Sequence, residues 1–579
     1  MTESSAPARR LAHIDDKWIA LSNTTLGILM AALNSSIVLI ALPDIFRGIG
    51  IDPLAPGETS VLLWSLMGYL VVTAVLLVTC GRLSDVYGRV RLYNLGFLIF
   101  TIGSILLFFI QGSGNVAALQ LIGFRIVQGV GGAFLFANST AILTDAFAPS
   151  ERGFALGINQ MAGIAGSFVG LILGGLLVTI NWRAVFLVSV PIGIVGTVWA
   201  YLMLHETAKP RTGANLDIPG NLLFAGGLTS LLVALTYGIQ PYGGSNMGWS
   251  NPWVIAGLVA GVLLLVAFGI VEMRVADPMF KLDLFRNRAF AMNNAAGFLA
   301  SVGRGGLQFM IIIWLQGVWL PLHGYSFART PLWAGIYMIP LTVGFLIVAP
   351  IGGWLSDRHG ARELAAAGMV ITALGFVGLT VISADFSYAV FAGLLLVLGI
   401  GMGLFTAPNT TAIMNAVPAA YRGVASGMRA TFQNVASTLS ITVIFSLVTV
   451  GLAKNLPGSL MSGLSGAGIP ADAAAKVAGL PPVGALFAAF LGYNPLATLI
   501  PASVLDGVSA ATRTTVLGTD FFPTLLSGPF KDGVTLAFLI SAALSVVAAL
   551  ASLAGGRRYV HESSTVRARA VVEPKGGVS

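Results

Sequence analysis

GRLSDVYGRVR, from Gly81 to Arg91, returns as GWLSDRHGARE, from Gly353 to Glu363, and each copy is wedged between long apolar runs. The register holds beyond it. LFANSTAIL at Leu135 to Leu143 answers FTAPNTTAIM at Phe405 to Met414, and APSERGFALG at Ala148 to Gly157 answers VPAAYRGVASG at Val417 to Gly427. Asp85 to Asp357 is 272 positions, Asn138 to Asn409 is 271, and Arg152 to Arg422 is 270. One spacing kept by three motifs means that the chain contains the same structural unit twice.

With 56% hydrophobic and only 9% charged residues, and runs such as Leu62–Thr79 and Val254–Ile270, the chain belongs in lipid. Apolar segments long enough to cross as helices fall at 18–42, 61–80, 92–111, 116–144, 153–179, 184–204, 218–239, 253–273, 289–320, 331–352, 364–383, 388–414, 423–452 and 533–555. Fourteen crossings put both ends of the chain on one side. Basic residues collect there: Arg9, Arg10, Lys17, both repeated loops, Lys209 to Arg211, Arg274 to Arg288, and the tail from Arg557 to Lys575. The opposite loops carry only Arg47, Arg183, Arg329 and a thin scatter in the long last one, so both termini are expected in the cytoplasm of a cell (inner or plasma) membrane protein. Topology thus accounts for the net charge of +8 without a nucleic-acid partner. The polar start leads straight into a full-length span, so no cleavable signal is expected. A single cysteine, Cys80, excludes an intrachain disulfide and a cysteine-rich metal site.

Six spans of this kind need about 200 residues, yet the repeat offset is near 270, so the surplus lies between the halves. It falls at 205–284. The expected organisation is a cytoplasmic tail at 1–16, a six-helix bundle at 17–204, two inserted helices with linkers at 205–284, a second bundle at 285–555 and a basic cytoplasmic tail at 556–579. The second bundle includes a long external loop at 453–532.

These residues carry a resemblance. GRLSDVYGRVR is similar to the signature loop between spans 2 and 3 of the major facilitator superfamily, and RIVQGVGGAF at Arg125 to Phe134 resembles that superfamily's span 4 motif. LNSSIVLIALPDI at Leu33 to Ile45, WRAVFLVSVPIG at Trp182 to Gly193, and LQGVWLPLHGYSFARTPLWAGIYMIP at Leu315 to Pro340 resemble its fourteen-span drug:proton antiporter branch. The match covers nearly all of 17–452 and 533–555. It implies an all-α membrane fold of two pseudo-symmetric six-helix bundles plus two inserted helices. It also implies efflux of hydrophobic or amphipathic drugs or lipids by alternating access, with no cofactor and with a proton gradient as energy source. A lipid or anionic-amphiphile flippase without classical proton coupling is the alternative.

Within the repeated loops Gly81, Gly88 and Gly360 permit tight turns, and Asp85 can face the positive N-terminal end of a neighbouring helix. The resemblance makes this loop a cytoplasmic latch, with Arg89 and Arg91 as charge partners and Asp357 with Arg358 as the weaker copy. Ordinary positive-inside charge beside a turn glycine is the plainer reading. Val86 stands where the family pattern usually has a basic residue. Span 5 carries Gly163, Gly166, Gly170, Gly174 and Gly175, either a sliding contact or a packing groove; Leu171 replaces the proline of the family's motif.

Charges inside the membrane cost about 2.5–3.5 kcal/mol each, so they face a wet cavity or a partner. Arg125 and Arg304 fall near mid-span, with Gln128 three residues and Gln308 four residues further on, and Arg429 is shallower. For Arg125 the resemblance favours a structural or proton-relay role; Arg304 is open between cavity and helix packing. No carboxylate matches them. The family's span 1 pattern begins with leucine and aspartate, whereas this chain has Leu33 and Asn34, an amide that cannot carry a proton. That departure points toward anionic or neutral amphiphiles.

The loop at 453–532 is too apolar for a floating linker. It is expected to form two or three short amphipathic helices that cap the outer mouth, lie among outer headgroups or meet a partner. A membrane acyl or glycosyl transferase would need an acid/base cluster, but His13, His205, His323, His359 and His561 are scattered through loops and tails. No GxxxxGK[ST] loop is present, so nucleotide hydrolysis is not the direct energy source.

Overall fold

A computed structural model describes residues 15–52, 58–148, 151–206, 217–275, 278, 280–418 and 421–555. Both predicted tails and Lys209 lie outside these residues, apart from Asp15 and Asp16. Among the described residues fourteen helices are long and apolar enough to cross a membrane: α1 (Asp16–Ile49), α2 (Ser60–Tyr87), α3 (Arg89–Phe108), α4 (Gly114–Ala146), α5 (Phe154–Val178), α6 (Ala184–Met203), α7 (Ile218–Gly238), α8 (Pro252–Glu272), α9 (Arg288–Leu322), α10 (Thr330–Ser356), α11 (Ala361–Val381), α12 (Tyr388–Asn415), α13 (Val424–Gly466) and α14 (Phe521–Ala554). Each expected span is matched by one of them. The side holding Asp16, Gly555 and both repeated loops is called the terminal face below, and the other the distal face.

The duplication is visible in which helices pack together. α1 lies on α5, α2 on α4, α3 on α4 and α3 on α6; α9 lies on α13, α10 on α12, α11 on α12 and α11 on α14. Even the close approaches repeat. A Cβ on Gly131 would sit 2.8 Å from the Gly96 carbonyl, and one on Gly401 would sit 2.7 Å from the Gly368 carbonyl, so α3/α4 and α11/α12 cross backbone to backbone. The bundles meet along α2/α13 and α5/α10, two seams that the repeat makes equivalent.

The inserted pair α7/α8 packs on itself and rests against α2 and α13, outside one seam. Its anchor is aromatic: Phe224, Phe268 and Phe280 meet with centroids 5.2 to 5.7 Å apart, and Phe280 reaches Phe432 of α13 at 6.0 Å. α8 otherwise exposes Val259, Leu263 and Val266, as a lipid-facing helix does.

The expected loop at 453–532 needs correction. α13 continues unbroken to Gly466 despite Pro457, and α14 already begins at Phe521, so both ends of that segment are helical extensions of spans. Between them lie five short helices rather than two or three: Ala471–Ala478, Pro482–Phe490, Leu496–Leu499, Ala502–Gly507 and Ala510–Val516. Every residue of Pro482–Phe490 is buried. This helix is a plug. Phe487 stacks on Phe445 with centroids 5.3 Å apart, and a Cβ on Gly317 would lie 3.1 Å from the Phe490 nitrogen. Here α9 widens into a π-helical turn, Trp314–Trp319, a distortion common where helices carry function. From that turn Gln316 donates to the Ile40 carbonyl of α1 at 3.3 Å, tying the bundles together. The distal halves of both bundles and the plug form one continuous apolar core, from Leu33 through Trp314 to Phe538.

Candidate functional site

The repeated loop is a one-residue break between helices. Gly88 (φ 103°) and Gly360 (φ 93°) adopt a conformation open to glycine, and each amide closes the preceding helix, on the Ser84 carbonyl at 3.0 Å and the Ser356 carbonyl at 2.9 Å. A Cβ on Gly81 would meet only Ala137 at 3.9 Å, so nothing there requires glycine. Arg89 donates to Asp85 at 2.8 and 3.0 Å and to Asp145 of α4 at 2.5 Å. The positive end of α3 is not met by Asp85, as expected, but by Glu206, which accepts from the Arg89 and Val90 amides at 2.6 and 3.1 Å. Asp85 is instead taken up by Arg89. All four groups belong to the first bundle and its exit, so here the loop clamps one bundle internally. Arg91 is exposed and bonds to no described residue. In the second copy Ala361 stands where Arg89 does, and Arg358 lies over the Trp354 ring at 4.1 Å. The Asp357 side chain lies outside the described residues.

The span 5 glycines divide into two groups. Cβ atoms on Gly166 and Gly170 would lie 2.6 and 2.5 Å from the Leu29 and Leu33 carbonyls, and one on Gly174 would lie 2.9 Å from the Ile37 carbonyl. Gly163 faces the Ile28 side chain at 3.0 Å. These four serve packing on α1 within the bundle. Gly175 alone faces the other bundle, where a Cβ would come within 2.4 Å of Leu332 Cα, and Gly335 of α10 answers it with the Leu171 carbonyl at 3.0 Å.

The membrane arginines take opposite roles. Arg125 is 1% exposed and donates from Nη1 to Asn34 Oδ1 at 2.7 Å and Gln128 Oε1 at 3.1 Å, with Tyr69 under its guanidinium at 4.6 Å. The network closes on itself: Gln128 donates to Ser104 at 2.8 Å and Asn34 to Ser189 at 3.3 Å. Arg125 Nε and the Tyr69 hydroxyl are buried without a hydrogen-bond partner. Asn34 is thus a neutral acceptor that holds a buried cation, a structural part of the first bundle.

Arg304 instead lines a cavity whose lining residues all come from the second bundle, with an empty volume of about 580 Å³ including solvent at its mouth. One face of α9 supplies Asn294, Phe298, Ser301 and Arg304 at helical spacing, and α13 supplies Arg429, Phe432 and Gln433. Arg304 is 16 residues from the terminal-face start of α9, about 24 Å deep. Above it α9 and α13 cross closely: the Gly306 amide donates to Ser440 Oγ at 2.7 Å, and that hydroxyl donates to the Val302 carbonyl. Gln308 does not join Arg304 in the lining, and its Nε2 is buried without a partner. The glutamine in the cavity is Gln433, which accepts from Arg429 at 3.3 Å; its place four residues after Arg429 obeys the same spacing rule that pointed to Gln308. Asn409, present in the repeated FTAPNTTAIM stretch, also lines the cavity. Sequence reasoning missed Lys531 of α14, which caps α11 through the Leu379 and Thr380 carbonyls at 2.9 and 3.0 Å.

Two half-sized bundles built from one repeated unit, seams between equivalent helix pairs and an arginine-lined cavity that reaches the middle of α9 define a secondary-transporter architecture. The Major Facilitator Superfamily pattern matches residues 24–441, and the chain belongs to that family, as a multi-pass membrane transporter rather than an enzyme. It is 30% identical over 440 residues to the riboflavin transporter RibZ of Clostridioides difficile (strain 630), covering 76% of this chain and 90% of that one. It is 29% identical over 538 residues to the tetracenomycin C resistance and export protein of Streptomyces glaucescens, covering 93% and 91%. The multidrug resistance protein Stp of Mycobacterium tuberculosis (strain CDC 1551 / Oshkosh) is 32% identical over 440 residues, covering 76% and 77%. Among solved structures, a bacterial homolog of the human lysosomal transporter Spinster superposes with a TM-score of 0.54 at 16% identity, covering 93% of this chain and 96% of that one, a likeness of fold.

Proposed function

We propose that the protein exports hydrophobic or amphipathic compounds from the cytoplasm by alternating access, rocking its two bundles about the α2/α13 and α5/α10 seams. The terminal face is then cytoplasmic, in keeping with its basic residues, and the membrane is the cell membrane. One observation carries the reading: the cavity lies in the terminal half of the second bundle while the distal half is closed by a continuous apolar core and the Pro482–Phe490 plug. A compound can load from the cytoplasm or the inner leaflet, and release needs the distal core to part. Two of the relatives are named for export or drug resistance, which supports the direction. A proton gradient is the proposed energy source, and Asn34, an amide bonded to Arg125, is not its carrier.

Purified protein in liposomes with an imposed pH gradient tests this. Gradient-dependent movement of a fluorescent amphiphile, absent from protein-free liposomes, supports the reading; equal movement with the gradient collapsed removes its energy source.

A further inference from the structure

Resting on the reading of the cavity as a substrate site, we propose that it selects amphiphiles with an acidic head, a carboxylate, sulfonate or phosphate, seated on Arg304 and Arg429. The ground is an imbalance between the two bundles. In the first, the guanidinium of Arg125 is answered by two side-chain oxygens and an aromatic face. In the second, Arg304 lines the cavity and makes no hydrogen bond or ion pair with any described residue. Arg429 uses Nη1 on Gln433, while its Nε is buried without a partner.

A guanidinium held in lipid without a counter-charge is costly, and the group that repays it is an anion. The cavity supplies none of its own, since neither aspartate nor glutamate is among its lining residues. Asn294 donates to the Phe290 carbonyl at 2.9 Å and Gln433 accepts from Arg429, while Asn294 and Asn409 each leave Oδ1 without a partner; these amides are neutral dipoles that carry no charge to answer the arginines. The two arginines therefore set the sign of the field. Phe298, Met369, Met402, Phe405 and Phe432 provide the apolar wall for a chain or ring attached to the head. Planar guanidinium forks suit carboxylate and phosphate oxygens, and a lone ammonium or quaternary amine in this cavity meets two like charges.

The test is equilibrium binding to protein in phosphatidylcholine nanodiscs, using radiolabelled oleate, oleyl alcohol and oleyltrimethylammonium as probes of equal chain length. The expected order is oleate tightest, by about tenfold over the alcohol, with the ammonium weakest. Arg304→Gln should bring oleate to within about threefold of the alcohol, and Arg304→Lys should restore part of the preference. A monodisperse size-exclusion peak and an unfolding temperature no lower than that of the unmodified protein show that the variant is folded. Adding phosphatidylglycerol separates the two sources of such a head: competition with oleate assigns the site to a lipid headgroup, and its absence to a free amphiphile. Ammonium binding as tight as oleate, or a preference that survives Arg304→Gln, overturns the proposal. In that event alcohol binding with gradient-driven transport leaves the exporter reading standing; conversely, an Arg304-dependent oleate preference in a protein that shows no gradient-driven transport removes the exporter reading alone.

Discussion

Replacing Arg125 and Arg304 by methionine, one at a time, separates the two roles by stability alone. Arg125→Met strands Asn34 Oδ1 and Gln128 Oε1 in the bundle, at about 1–3 kcal/mol for each buried acceptor left unpaired. It also removes the contact with Tyr69, worth about 0.5–2 kcal/mol. Against this stands recovery of the cost of holding a charge in the membrane, about 2.5–3.5 kcal/mol. Arg304→Met recovers a similar cost and strands no described partner. The recovered cost is common to both variants, so it cancels in their comparison. The difference that remains is at least about 2.5 kcal/mol, with Arg125→Met the less stable. Cys80 is the only cysteine and is buried, so a thiol-reactive dye reports unfolding of detergent-solubilised protein directly. Arg125→Met should unfold well below Arg304→Met, which should unfold at or above the unmodified protein. Equal losses in the two variants would refute the division of roles.

Three further outcomes follow from the geometry. Gly170→Leu drives a side chain into the Leu33 carbonyl and should abolish folded protein, whereas Gly175→Leu meets the α5/α10 seam and should leave folded protein with transport strongly reduced; size-exclusion yield and liposome transport distinguish them. Asp85→Asn and Asp145→Asn each take one carboxylate from Arg89, so both should lower transport per folded protein by similar factors and cost less than about 1 kcal/mol of stability, while Asp357→Asn does less because Ala361 replaces the arginine. In a Cys80→Ser background, an impermeant thiol reagent applied to intact cells should label a cysteine placed at Ser465 and spare one placed at Arg91; the reverse pattern inverts the proposed topology.

Much of the architecture was legible because membrane helices and a duplication leave long-period signals. Fourteen apolar runs, one loop written twice and a surplus between the halves are enough for two bundles and an inserted pair. What escaped was local. NLPGSLMSGLSG falls beyond the expected span at 423–452 because proline and glycine disfavour helix, yet α13 runs through it by packing against α14, where Ser459 donates to the Leu525 carbonyl at 2.6 Å. PVGALFAAF, nine apolar or small residues long, carries no period that separates a surface helix from a buried plug. Helical spacing placed Gln128 correctly beside Arg125, but the same rule offered both Gln308 to Arg304 and Gln433 to Arg429, and only packing decides which amide reaches the cavity. Asn34 was recognised as a neutral replacement; that it accepts from Arg125 needs the distance across two helices. Glu206 and Lys531 act on helix ends far away in sequence, contacts that no local pattern announces.

Accumulation in sealed inside-out membrane vesicles is the most direct test of cytoplasmic loading and export. Vesicles containing the protein and energised by respiration should concentrate a labelled amphiphile in their lumen, lose it on collapse of the proton gradient, and accumulate far less with Gly175→Leu. Accumulation no greater than in vesicles lacking the protein, or uptake confined to right-side-out vesicles, would contradict it.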